Sequence, residues 1–207
     1  MNIHLYLCKE TYMRTRNTNK VQLVKQKAIE MIVKDGFEGF SMNKLARACN
    51  ISVATLYIYY KDRDDLIIKI AYEEGKLMAD RMIKNLDPEA SFEEGMRIQW
   101  ANRYQYMTDN PLLALFFEQL QSSTYHVQFM DAFTEFKAVV SKFLNNVIAR
   151  GEMNPVPLEV YWSVAFAPLY SLVRFQNQGQ SLGGKPFTMS DEILWQTFDL
   201  VIKGLKK

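Results

Sequence analysis

Apolar residues recur at helical spacing along the chain and strand-type alternation is absent, so the pattern predicts an all-α protein. Val21, Val24, Ala28, Ile29 and Ile32 mark the inner face of a first helix near residues 18–35, which Gly36 stops. Met42, Leu45, Ala46 and Cys49 then stand at i, i+3, i+4 and i+7, one stripe of a short helix over 42–49 capped by Ser41. Asn43, Lys44 and Arg47 fall off that stripe and face water or a partner. Asn50 ends this helix, because Asn tolerates the left-handed backbone of a sharp turn. Ile51 plugs the turn and Ser52 caps a third short helix. Leu56 and Tyr57 point back to its predecessor, while Val53, Ala54 and Thr55 stay outward.

Asp62 caps a fourth helix over about 63–85, with Asp64 and Asp65 in its first turn, where the helix dipole favours negative charge. Five further helices follow. Ser91 and Glu94 form a capping box opening a helix to about Met107, and Asn110-Pro111 opens another to about Ser122. A longer helix fills about 124–150 and stops at Gly151. The last two cover about 157–178 and 189–205, either side of the loop GQSLGGKPF. Pro168 should kink or break the eighth. Nine helices result, with no internal repeat.

A two-turn helix buries too little apolar surface to stand alone. Two of them held rigidly at an angle, with one polar face free, are built to read DNA. The stretch resembles the N-terminal DNA-binding domain of TetR-family transcriptional regulators. Matching positions are Gly36, Phe37, Ser41, Leu45, Ala46, Ile51, Ser52, Thr55, Leu56, Tyr57, Tyr59, Tyr60, Asp62, Asp64 and Leu66. Asn50 stands for a usual Gly, Tyr60 for Phe and Arg63 for Lys, each keeping its physical role. The resemblance covers about residues 20–70 and implies three helices for DNA and six for the remainder. The expected organisation is an N-terminal extension over 1–17, disordered or preceding a true start at Met13, then a helix-turn-helix domain over 18–65. An effector-binding and dimerisation domain over 66–207 follows.

Charge distribution fits that division better than the net charge of +2 does. Residues 1–65 hold eleven Lys/Arg against seven Asp/Glu, and the remainder fourteen against sixteen. Cys8 and Cys49 lie far apart, which implies a reduced, cytoplasmic protein without a disulfide framework or a zinc site. No apolar run reaches membrane-spanning length, and no signal peptide or membrane partner is expected. Ser41-Met-Asn-Lys44 matches a Ser-x-x-Lys hydrolase motif, but Ser41 already has a capping role. Asp62, Asp64 and Asp65 belong at a helix start, and His126 has no second ligand beside it. No catalytic residue, metal site or cofactor is therefore expected.

By resemblance, Val53, Ala54 and Thr55 face bases while Tyr57, Tyr59 and Arg63 touch phosphates of a duplex operator. Val53 and Ala54 can read only shape and thymine methyls, which leaves Thr55, with Asn43, for polar contacts. Lys44 joins them on the outward face, and Arg14, Arg16 and Lys20 could track the backbone or enter the minor groove. The family generally holds a small-molecule effector inside the body. Trp100, Tyr104, Phe117, Phe133, Trp162, Phe166 and Tyr170 are the candidate pocket walls, with Gln119 and Arg174 to orient a polar group. An ordinary aromatic core is the plainer account of the same rings. Leu169, Leu172 and Val173 with Trp195, Phe198, Val201 and Ile202 are the candidate homodimer interface.

The resulting expectation is a homodimeric repressor that binds a palindromic operator and is released by a small, mainly apolar effector. The alternatives are a DNA-binding dimer without an effector and an all-α enzyme using the aromatic cavity.

Overall fold

The computed structural model describes residues 3–207, with side chains from residue 20 onward. The expectations for Arg14 and Arg16 rest on side chains outside the described residues, whereas the extension expected to be disordered over 1–17 has a helical backbone from Ile3 onward. Helix α1 spans Ile3–Gly39, so its helical backbone begins well before residue 18. It is interrupted where the glycine stop falls: Gly36 has φ 71° and ψ 174°, a region only glycine enters without strain. Helices α2 (Met42–Ala48), α3 (Val53–Tyr57), α4 (Arg63–Met82), α5 (Phe92–Asp109) and α6 (Pro111–Gln121) follow. Then come α7 (His126–Met130), a 3-10 turn (Asp131–Phe133), α8 (Thr134–Ala149), α9 (Leu158–Ala165), α10 (Ala167–Gln178) and α11 (Asp191–Leu205). The architecture is all-α, with isolated bridges as the sole extended pairing among the described residues.

Two of the nine expected helices are each divided. The break between α9 and α10 at Phe166 has the cause Pro168 supplies: it lacks an N–H and its ring collides with the carbonyl four residues back. The division at Asp131–Phe133 contains neither Pro nor Gly, so apolar spacing alone reads straight through it. Helix α4 ends three residues early, in a turn where Asn85 takes a left-handed φ of 61°.

The chain forms two compact units. The first comprises the residues up to Tyr72 together with Leu112–Phe129, and the second Glu73–Pro111 with Met130–Lys207. In the first, Ala28, Ile32, Leu45, Leu56, Leu66, Ile67, Phe116 and Leu120 are among the buried core residues. The Gln119 amide donates to the Val33 carbonyl at 3.1 Å. The Tyr125 hydroxyl donates to Asp64 at 2.6 Å while its ring lies 5.1 Å from that of Phe37. Burial, and then the Asp64 carboxylate, push that phenol up to about 12. Residues distant in sequence thereby brace the helices that flank α2 and α3.

In the second unit, the Trp100 indole donates to the Ala165 carbonyl at 2.8 Å and meets the Phe198 ring edge-on at 5.4 Å. The capping box at Ser91 forms as the sequence indicates, with Glu94 reaching back to the Ser91 N–H. Glu152 adds a second acceptor at the same helix start, taking the Phe92 N–H at 2.6 Å, which together with Arg150 lowers its pKa. Gly95 lets α5 approach α8, since a Cβ there would run into the buried Phe143 ring. Gly95→Ala should therefore cost about 1–3 kcal/mol through overpacking. Urea unfolding measures this directly, and an unchanged midpoint would mean that the ring simply moves aside. No helix among the described residues is long and apolar enough to cross a membrane.

Candidate nucleic-acid interface

Local hydrogen bonds fix the ends of the α2–α3 pair. The Ser41 hydroxyl accepts from the Lys44 N–H at 3.3 Å, and the Ser52 hydroxyl accepts from the Thr55 N–H at 3.2 Å. Asn50 sits at φ 53°, the left-handed turn the sequence indicates, and the Ile51 N–H returns to the Ala46 carbonyl at 3.0 Å. Leu45, Ala46 and Cys49 on one side and Leu56 on the other are buried, which locks the angle between the two helices. Asp62 caps α4 through the Asp65 N–H at 2.8 Å.

The outward edge of the pair carries exposed Asn43, Lys44 and Arg47 from α2 and exposed Ala54 and Tyr57 from α3. Tyr57 is 53% exposed, so it faces outward rather than back onto α2; Leu56 alone takes the inward role. Val53 and Thr55 are half-buried, and the Thr55 hydroxyl is 2.9 Å from that of Ser52. Thr55 is thus partly committed to the helix start. Lys20 is exposed and Tyr59 half-buried.

Arg63 departs from its expected role. Its Nη2 donates to the Phe37 carbonyl, within the turn that follows Gly36, and its Nε is buried. The guanidinium ties α4 to the end of α1 and is not held out as a phosphate clamp. Two residues absent from the sequence expectations complete the edge, Ile58 at 76% exposure and Lys61, while Arg47 stands exposed where the sequence set it, though without an assigned DNA contact. Arg47 was legible as an off-stripe cation. Ile58 was hidden because an apolar residue at a helix end reads as core.

The residues expected to line an effector cavity do not all come together. Trp162, Phe166 and Tyr170 cluster, with Trp162 ring centroids 5.0 Å from Phe166 and 6.4 Å from Tyr170. Trp100 is fully buried with its N–H bonded to backbone, a core pin and not a wall. Phe133 is edge-on to Phe136 at 5.8 Å, Tyr104 is half-buried, and Arg174 is exposed above the Phe175 ring. Phe117 and Gln119 lie in the first compact unit, where Phe117 stacks on Phe129 at 5.2 Å. The missed residue is Arg103, fully buried with its guanidinium carbon 3.9 Å from the Phe166 ring centre. A charge on the stripe formed by Met96, Gln99, Trp100 and Met107 was the available signal.

The expected dimer stripe also needs correction. Leu169, Val173, Phe198, Val201 and Ile202 are buried within the chain's own second unit, and Leu172 and Trp195 are half-buried. The same amphipathic helices serve the internal core first, because a six-helix body must cover its own apolar faces. What α9 and α11 leave exposed is Leu158, Val160, Trp162, Val164 and, at 65%, Leu200.

Residues 26–70 match the family of bacterial regulatory proteins of the tetR type. An uncharacterised HTH-type transcriptional regulator of Haemophilus influenzae is 26% identical over 110 residues, 53% of this chain and 59% of that one. The chain thus spans somewhat over half of this curated relative's length. The crystal structure of a TetR family transcription regulator from Marinobacter aquaeolei VT8 superposes with a TM-score of 0.77. Identity there is 24%, over 94% of this chain and 99% of that one. The transcriptional regulator FadR of Bacillus subtilis in complex with stearoyl-CoA gives 0.69 at 15% identity, over 88% and 98%. These structures share the fold. The matched segment is the stretch that forms the capped helix pair with its basic outer edge, so residues 26–70 belong to the tetR family of bacterial regulatory proteins, and the chain as a whole shares the fold of TetR family regulators.

Proposed function

We propose that the protein is a homodimeric repressor whose α2–α3 pair reads a palindromic operator and which a small, mainly apolar effector releases. The observation that carries the reading is the outward edge of Asn43, Lys44, Arg47, Ala54 and Tyr57, mounted on a doubly capped, internally packed helix pair. Cations there meet phosphates, and the short α3 offers Ala54 and Val53 to thymine methyls. One such helix specifies only a few base pairs, so two copies on a palindrome are needed for useful discrimination. Exposed Leu158, Val160 and Val164 of α9 and Leu200 of α11 support self-association.

The aromatic second unit, and the fold shared with a FadR crystallised with stearoyl-CoA, favour a lipophilic effector. Helix α4 is continuous from Arg63 to Met82, and its two halves belong to different compact units. It is the covalent link through which effector binding would act on the reading helices, with a coupling of about 1–3 kcal/mol.

Anisotropy titration with DNA from the protein's own locus tests this. Lys44→Ala and Arg47→Ala should each weaken binding on every sequence and reduce the slope of log affinity against log salt by about 0.9. Slopes equal to the wild type would remove these side chains from the interface. No retardation of any locus fragment at low salt would end the proposal.

A further inference from the structure

Arg103 is fully buried, yet its charge is only partly accommodated. Its Nη1 donates to the Gln99 carbonyl at 3.2 Å. Nε and Nη2 meet no acceptor among the described residues, and neither does the equally buried Gln99 Oε1 meet a donor. Gln99 spends its amide N–H on the Gly95 carbonyl at 3.3 Å. Around the guanidinium stand three rings, Phe166 at 3.9 Å, Phe136 at 5.5 Å and Trp162 at 5.6 Å from its carbon. Ring faces attract a cation but accept none of its directed N–H bonds.

A guanidinium does not shed its proton at any physiological pH, so burial cannot neutralise it as it would a lysine. An uncompensated buried charge is costly, and natural cores keep one where something answers it. The unanswered pair decides what that something is. Nε and Nη2 lie on the same edge of the guanidinium and point two parallel N–H bonds outward, the spacing that matches the two oxygens of a carboxylate. The three rings packed around the guanidinium suit an apolar body and not a polar one.

We propose that Arg103 is the receptor for the carboxylate of an apolar organic acid, gripped side-on through Nε and Nη2, with the acid's body against Phe136, Trp162 and Phe166. This rests on reading the second unit as effector-binding and names the class of effector. Trp162 is 37% exposed while Phe166 and Arg103 are covered, so Trp162 marks the side from which the acid enters.

Calorimetric titration of the full-length chain tests it, with benzoate, octanoate and dodecanoate each set against the matching neutral alcohol, and with dodecyl phosphate. The expected result is that at least one acid binds about tenfold or more tightly than its alcohol. In Arg103→Met that preference falls to near unity while alcohol binding persists. Arg103→Lys, which keeps the charge but not the fork, retains a reduced preference and covers the case in which the Met variant does not fold. Equal affinity for acid and alcohol, no binding of any acid, a preference that survives Arg103→Met, or tighter binding of the phosphate would each overturn the proposal. Operator titrations run in parallel separate it from the wider reading. Alcohols that release DNA without any acid preference leave the sensor intact and remove Arg103 as its receptor. An acid held by Arg103 that leaves DNA binding unchanged does the reverse.

Discussion

Trp100→Ala should destabilise the second compact unit by about 3–5 kcal/mol, close to the whole stability of many domains of this size. Trp100 is fully buried, and truncation leaves a void between α5 and the Phe198 ring it meets edge-on. It also orphans the Ala165 carbonyl, which accepts the indole N–H at 2.8 Å just before the break at Phe166. Trp100→Phe separates the two effects. It keeps most of the ring volume and loses the hydrogen bond, so its cost should be only about 1–2 kcal/mol. Denaturant unfolding followed by circular dichroism measures both. If Ala and Phe cost the same, the hydrogen bond carries the position and the packing account fails.

Leu56→Ala should abolish operator binding although no atom of Leu56 faces outward. The side chain is fully buried on a five-residue helix and is the one residue of α3 in the core. Its truncation costs about 2–5 kcal/mol and frees α3 to rotate against α2. Because a positional error near an ångström spoils base contacts, affinity should fall at least as steeply as stability does. For stability alone, Ala54→Ser, exposed on the same helix, is the comparison and should stay within about 0.5 kcal/mol of wild type. Wild-type affinity in a folded Leu56→Ala protein would show that α3 does not need its anchor.

Both residues show how far periodicity carries. Spacing assigns both Leu56 and Tyr57 inward, and the five-residue helix buries Leu56 while leaving Tyr57 exposed, because so short a helix turns little more than one position to the core. Trp100 was placed among cavity walls, because aromatic content cannot distinguish a ring that lines a space from one that fills it. Arg63 and Arg103 mark the same limit for charge. Arg63 reads as a surface cation and turns in to the Phe37 carbonyl; Arg103 reads as one more polar residue on a helix and is fully covered.

Local chemistry alone settled the all-α class, the serine caps at 41, 52 and 91, the left-handed turn at Asn50, the interruption at Gly36 and the break ahead of Pro168. Each depends on backbone groups within a few residues, and side-chain identity is sufficient to predict them. Which apolar face meets which was decided only by the folded chain. Tertiary packing drew Phe116, Leu120 and Phe129 in with the N-terminal helices, and it used Phe198, Val201 and Ile202 internally. An amphipathic stripe states that a face must leave water, and it is indifferent to whether a neighbouring helix, a second copy or a ligand does the covering.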